Sequence, residues 1–226
     1  MIQYVAIGDS LTVGIGSSRN RNGDYLGFVR PYSQFVAETL NRPVQICMIA
    51  KTGSTTQQLF KMINCNKMYE KQIYQADIIT ITAGSRDFLD AFEKAQIFGS
   101  LAPLQSVSQQ VFHCLQAIIS TITKIKKMCP KPYMIRIFNL YNPYENVAIF
   151  DSIIQKFNKS LYALELNKQV QIVDTYSLFK SYLHNYLSCD GQHPNDCGYQ
   201  AMAEALFLTG FSPFLPSKCS YKYFIK

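Results

Sequence analysis

A chain of 226 residues has room for one domain that buries roughly 70% of its unfolded surface, so it needs neither disulfides nor a structural metal. Its 48% hydrophobic and 16% charged residues exclude a disordered, collagen-like or low-complexity chain, and no apolar run reaches the eighteen or so residues of a membrane-spanning helix. The 22 basic against 15 acidic residues leave +7, a balance that suits anionic partners such as an anionic lipid surface; nucleic acid is not expected, because the longest basic cluster (Lys124, Lys126, Lys127) is short and sits at a predicted helix C-terminus.

Taken in chain order, the first element is an apolar run over Ile2–Ile7 that ends in Gly8-Asp9-Ser10. Tyr32, Phe35, Val36 and Leu40 then share one helical face. A second run, Val44–Ala50, leads into Lys51-Thr52-Gly53, and Ser54 with Gln57 predicts a capping box for a helix carrying Leu59 and Phe60. A third run, Asp77–Ala83, ends in Gly84-Ser85-Arg86-Asp87. A long stripe follows through Val107, Val111, Leu115, Ile118, Ile119, Ile122 and Ile125. The fourth run, Tyr133–Leu140, ends in Tyr141-Asn142-Pro143; another stripe, Ile153, Ile154, Phe157, Leu161 and Leu164, precedes a fifth run at Val170–Asp174. The loop Cys189–Asp196 then leads to a last helix, Gly198–Leu208, with Asp196 as its cap and Gly210 as its stop. The tail from Phe211, with Pro213 and Pro216, reads as irregular.

None of the five runs alternates cleanly, as expected of strands covered on both faces. Strands alternating with helices predict an α/β fold, a three-layer α/β/α domain over 1–226 with a five-stranded parallel sheet. In such sheets the functional site forms at the carboxyl ends of the strands, which is where the Gly-, Ser-, Asp- and Asn-containing loops fall. Met1–Gly8 has no basic segment ahead of a long apolar core, so no secretory signal is expected and the protein reads as cytoplasmic or cell-associated. The seven Cys form no C-x-x-C pair and read as reduced thiols, with Cys189 and Cys197 set apart because they bracket the Asp190–His193 loop.

Serine needs a base, a group that orients the base, and donors for the oxyanion that develops. Ser10 directly follows the first strand, where a hydroxyl faces the cleft. Asp190-Gly191-Gln192-His193-Pro194 supplies a carboxylate and an imidazole three residues apart, and a turn can set the carboxylate on Nδ1–H and leave Nε2 as base. Asp174, at the fifth strand's end, is the reserve partner for His193. A dinucleotide-binding reading fails, since Arg19 stands where the third Gly after Gly14-x-Gly16 is required.

Gly8-Asp9-Ser10-Leu11, Gly53, Gly84-x-x-Asp87 and Asp190-x-x-His193 occur in order across nearly the whole chain, and together they resemble the blocks of the SGNH (GDSL) hydrolase family. The resemblance implies a flavodoxin-like strand order and ester or thioester hydrolysis without metal or organic cofactor. It implies Ser10 as nucleophile, His193 as general base and acid, Asp190 as its orienting carboxylate, and the N–H groups of Ser10 and Gly53 as oxyanion donors. One departure stands out: Arg86 occupies the position where the family carries an Asn as third donor. Its guanidinium can bend back as a cationic donor, bind an anionic group of the substrate, or point away while Asn142 or Asn139 fills the role. Asn142 also reads as turn punctuation, and Asp9 and Asn142 are candidate substrate contacts.

Segments 11–31 and 84–105 are expected to line or cover the cleft, the first with Arg19, Arg21, Arg30, Tyr25 and Phe28, the second with Phe88, Leu89, Phe92, Phe98 and Leu101. A basic and an apolar rim together would suit a phospholipid or lysophospholipid. Two other readings stand beside the lipid esterase: an O-acetyl esterase acting on carbohydrate or cell wall, and a non-catalytic binding module on the same fold, which Arg86 invites.

Overall fold

The computed structural model describes residues 1–144 and 146–215. All five predicted runs are strands: β1 (Ile2–Gly8), β2 (Val44–Ala50), β3 (Ile78–Thr82), β4 (Met134–Phe138) and β5 (Val170–Val173). They pair in parallel in the order β2-β1-β3-β4-β5, the flavodoxin-like order. β3 and β4 are buried along their whole length, which is why their sequences are continuous apolar runs.

Helices cover both faces. On one lie α3 (Thr56–Cys65), α4 (Lys67–Gln75), α5 (Ser85–Phe98), α6 (Ala102–Lys127) and α7 (Ala148–Leu161), joined by Val5, Ile7, Ile79, Ile81, Ile135 and Ile137 in one apolar cluster. On the other lie α2 (Val29–Leu40), α8 (Thr175–Lys180), α9 (Leu183–Tyr186) and α10 (Asp196–Leu208), packed on Tyr4, Ala6, Met134 and Phe138. The short α1 (Ser10–Val13) starts at the end of β1. No helix among the described residues is long and apolar enough to cross a membrane.

Several local expectations shift. The capping box is one residue later than expected: Thr55 accepts from the Gln58 N–H, and the Gln58 side chain accepts from the Thr55 N–H. Asn195, not Asp196, caps α10, and Asp196 instead accepts from the Ser18 N–H and hydroxyl. That helix ends at Leu208 with Thr209 as its cap, one residue before Gly210. Most of segment 84–105 is helix: α5 fills Ser85–Phe98, where Phe88, Ala91, Phe92 and Ala95 fall on one buried face, and α6 begins at Ala102. Lys126 is no surface cation: it is buried, and its ammonium donates to the carbonyls of Tyr74 and Ala76. In the tail, Phe211 packs into the second cluster, and residues 216–226 lie outside the described residues.

The register positions the site. Gly8 pairs with Ala50 on one side and with Thr82 on the other, so β1, β2 and β3 end side by side. The three loops that leave them, at Asp9, Lys51 and Ala83, therefore open onto one cleft.

Candidate active site

Ser10 is seated by the residues beneath it. A Cβ on Gly8 would lie 2.2 Å from Thr82 Oγ1 and 2.4 Å from Thr12 Oγ1, so only glycine lets α1 start this close to the sheet. Asp9 is 1% exposed; its Oδ1 accepts from the Leu11 N–H at 3.0 Å and from Thr82 Oγ1 at 2.9 Å, and these bonds fix the turn that carries Ser10. Its Oδ2 is buried with no hydrogen-bond partner among the described residues. Burial pushes the Asp9 carboxyl up to about 6, against the opposing pull of Thr82, the Leu11 N–H and the nearby His193.

The opposing loop is built by its own hydrogen bonds. The Ser188 N–H donates to the His193 carbonyl at 2.8 Å, and Leu187 bridges to Pro194, which closes the loop at its base. Asp190 Oδ1 accepts from the Gln192 N–H (2.8 Å), the His193 N–H (2.9 Å) and the Ser188 hydroxyl (2.9 Å). Asp190 Oδ2 lies 2.6 Å from His193 Nδ1. Burial alone would raise the Asp190 carboxyl, but these four bonds outweigh it and hold it well below the usual carboxylate range. An ionised carboxylate only accepts, so Nδ1 carries the proton and Nε2 keeps its lone pair. That Nε2 lies 2.9 Å from Ser10 Oγ, across 183 positions of sequence.

Two braces come from outside the loop. The Tyr141 hydroxyl, at the carboxyl end of β4, donates to the Gln192 carbonyl at 2.5 Å. Gly16, at φ +95°, lets the chain after α1 press against the loop, where a Cβ would meet the Pro194 carbonyl at 2.5 Å and His193 Cβ at 2.9 Å. Sequence reading missed both supports; the position of Tyr141 just past a strand end was the signal for one of them.

Ser10, Gly53, Arg86 and His193 line one cavity of about 160 Å3. Its walls are Leu11, Phe88, Leu140, Phe150 and Ile154, and Asp9 lies in its floor. Gly53 has a φ of +73°. Asp87 ties this corner together by accepting from the Thr56 N–H and hydroxyl at 2.9 and 3.0 Å, joining the starts of α3 and α5.

The other candidates fall elsewhere. The Arg86 guanidinium turns along α5 to Asp90, four residues on, at 2.6 Å, rather than back toward Ser10. Asn142 is bound up in its own turn, donating to the Tyr144 carbonyl and Asp151 and accepting from the Tyr144 N–H, and it does not line the cavity. Asn139 holds the start of α8 through Asp174, Thr175 and Tyr176. Asp174 caps α8 through the Ser177 N–H, and Asp190 is the carboxylate on His193. Of the expected basic rim, Arg19 stacks on Tyr25 and Arg30 pairs with Asp24, and neither lines the cavity. Phe28 is core, and from the second segment only Ser85, Arg86, Phe88 and Leu89 reach the cavity wall. Cys189 and Cys197 are exposed free thiols.

An open parallel sheet with a serine, a histidine and a carboxylate hydrogen-bonded in series at its carboxyl edge is an architecture of ester hydrolases. Residues 4–206 match the GDSL-like lipase/acylhydrolase family, and the chain belongs to that family. It is 35% identical over 213 residues to the spore germination lipase LipC of Bacillus licheniformis, covering 93% of this chain and 97% of that protein. The crystal structure of the lipase Lip_vut3 from a goat rumen metagenome superposes with a TM-score of 0.89 at 33% identity, over 95% of this chain and 100% of that one. The acetylxylan esterase Axe2 of Geobacillus stearothermophilus shares the fold, with a TM-score of 0.66 at 15% identity over 95% of this chain and 96% of that one.

Proposed function

We propose that the protein hydrolyses carboxylic esters with short to medium aliphatic acyl chains through a Ser10–His193–Asp190 relay. The observation that carries this reading is the continuous line of contacts from Asp190 Oδ2 through the imidazole to Ser10 Oγ, at 2.6 and 2.9 Å. His193 Nε2 takes the proton of Ser10 as Oγ attacks the ester carbonyl. The tetrahedral oxyanion develops toward the Ser10 and Gly53 N–H groups. His193 then protonates the departing alcohol, and water, deprotonated by the same nitrogen, releases the acid from Ser10. Asp190 holds the ring in the needed tautomer and stabilises the imidazolium that forms at each proton transfer.

Arg86 takes no part as an oxyanion donor in this reading, because Asp90 holds its guanidinium. Two backbone donors without a side-chain third predict a slow enzyme, since one oxyanion donor is commonly worth about 100- to 1,000-fold in rate.

The acyl preference follows from the cavity. A void of about 150 Å3 with aliphatic and aromatic walls takes a benzene-sized guest, about six carbons. At about 160 Å3, this cavity suits a butanoyl to hexanoyl group, and an acetyl group would leave most of its apolar wall unpaired. That favours a lipid-like ester over a sugar O-acetyl ester. A p-nitrophenyl ester series on wild type and Ser10→Ala tests both parts. Turnover should peak at four to six carbons and vanish in Ser10→Ala. Full activity in Ser10→Ala would end the nucleophile assignment, and a preference for acetate would end the lipid reading.

A further inference from the structure

The α5–α6 hairpin stands beyond the sheet. α6 is anchored at two heights: a Cβ on Gly84, just past the end of β3, would lie 3.1 Å from Val111, and Lys126 reaches the carbonyls of Tyr74 and Ala76 just before β3 begins. The helix therefore runs antiparallel to β3 and spans the full height of the sheet between Val111 and Lys126. At 1.5 Å per residue, its first residues from Ala102 rise roughly 13 Å past Gly84, on the side where Ser10 and His193 meet. α5 climbs beside it, with Ala91 and Lys94 sharing a cleft with Pro103 and Ser106.

The tip of this arm is apolar and open. Ile97 is 75% exposed, Phe98 72% and Leu101 45%. From Ala95 to Thr123 the sequence holds no Asp, Glu, Lys or Arg. Large apolar side chains grouped at an exposed tip mark a surface meant to be covered. The base of the same arm, at Phe88 and Leu89, forms a wall of the Ser10 cavity, so one helix carries both the cavity wall and the tip.

We propose that Ile97, Phe98 and Leu101 insert into the surface of an uncharged or zwitterionic lipid aggregate and so hold the cavity mouth against its ester substrate. The proposal rests on the lipid-ester reading above and adds where that ester is met. An occupant without net charge fits a tip without charge. Interfacial side chains enter roughly 5–10 Å below a lipid surface, which leaves the mouth of the cavity within one acyl chain's reach of it. Binding by insertion is insensitive to salt, unlike binding through the basic surface.

Two measurements separate this from the catalytic reading. The first is co-flotation of Ser10→Ala protein with phosphatidylcholine vesicles, which needs no turnover. Ile97→Ser/Phe98→Ser on that background should bind at least tenfold more weakly, with no change between 0.05 and 0.5 M salt, because each large apolar side chain removed from lipid weakens partitioning by about tenfold. Leu166→Ser serves as control: that side chain is 89% exposed and precedes β5, at the opposite end of the sheet, and its loss should change nothing. The second is turnover of emulsified tributyrin against dissolved p-nitrophenyl butyrate. The double variant should lose tenfold or more on the emulsion and keep its rate on the dissolved ester. Equal vesicle binding by wild type and double variant overturns the proposal, as does binding only to phosphatidylglycerol vesicles that salt abolishes. So does a wild-type dimer that the double variant dissociates, since the tip then covers a second copy. If the wild type binds vesicles as described but cleaves no ester, the catalytic reading fails and the arm stands.

Discussion

The two segments that meet at the cavity are held in opposite ways. The Asp9–Ser10 turn is held inside the core by a half-satisfied carboxylate: it is buried, only Oδ1 is hydrogen-bonded while Oδ2 has no partner among the described residues, and its charge is disfavoured. The Cys189–His193 loop is set by hydrogen bonds: the Asp190 carboxylate is 43% exposed, fully partnered, and its charge is favoured. In the proposed mechanism the attacking serine is thus anchored to the sheet, while the imidazole that would change charge during turnover hangs on a network that accommodates charge. Two aspartates flank one Ser–His pair, and environment alone gives them opposite character.

The largest expected effect that separates the two is on turnover. Asp190→Asn should lower kcat by about 10,000-fold, because it disturbs the tautomer that the relay needs, and it should also lower the melting temperature at neutral pH, because the folded chain favours the Asp190 charge. Asp174→Asn should leave both kcat and the melting temperature nearly unchanged, because the side-chain oxygen of Asn can still cap α8 through the Ser177 N–H. A larger kcat loss at Asp174 would reverse the assignment. On the packed side, Gly8→Ala should act on stability instead. Its new methyl group overlaps Thr82 and Thr12, a forced overpacking that costs about 1–3 kcal/mol or more, read as a melting temperature lower by several degrees.

The contrast is sharpest in its pH dependence. Asp190 titrates lower in the folded chain than in the unfolded one, so its contribution to stability is present above the ordinary value of about 4 and is lost as pH falls through its folded value. Asp9 runs the other way. Its folded value of about 6 means that the folded state binds more protons between about pH 4 and 6, and stability falls as pH rises through that window. Asp9→Asn should therefore stabilise the protein more at pH 7.5 than at pH 4, and Asp190→Asn should destabilise it more at pH 7.5 than at pH 2. Denaturant midpoints at those pH values check both signs. The smallest effect is expected at the brace between the two regions: Tyr141→Phe removes one hydrogen bond to the Gln192 carbonyl and should lower kcat a few-fold, with about 1 kcal/mol of stability.

The strands and the motif loops were legible because both are local. Continuous branched runs mark buried parallel strands, and Gly-Asp-Ser or Asp-x-x-His carries its turn chemistry within a few residues. Register then did what no window of sequence could, aligning Gly8 with Ala50 and Thr82 so that three loops share a cleft. What sequence hid was set by distant partners. Lys126 is buried because two carbonyls about fifty positions away receive it. The course of Arg86 is legible in principle, since Asp90 sits four residues on, but the two become neighbours only because α5 starts at Ser85 and winds them onto one face. The basic rim failed for a similar reason: Arg19 and Arg30 each have a partner six positions away in sequence, Tyr25 and Asp24.

The central claim, that the hydroxyl at position 10 is the attacking group and that His193 activates it, is tested most directly by fluorophosphonate labelling mapped by mass spectrometry. The account predicts one adduct, on Ser10, formed quickly by wild type and very slowly by His193→Ala. An adduct on a different serine, or ester turnover fully blocked while Ser10 stays unmodified, would contradict it.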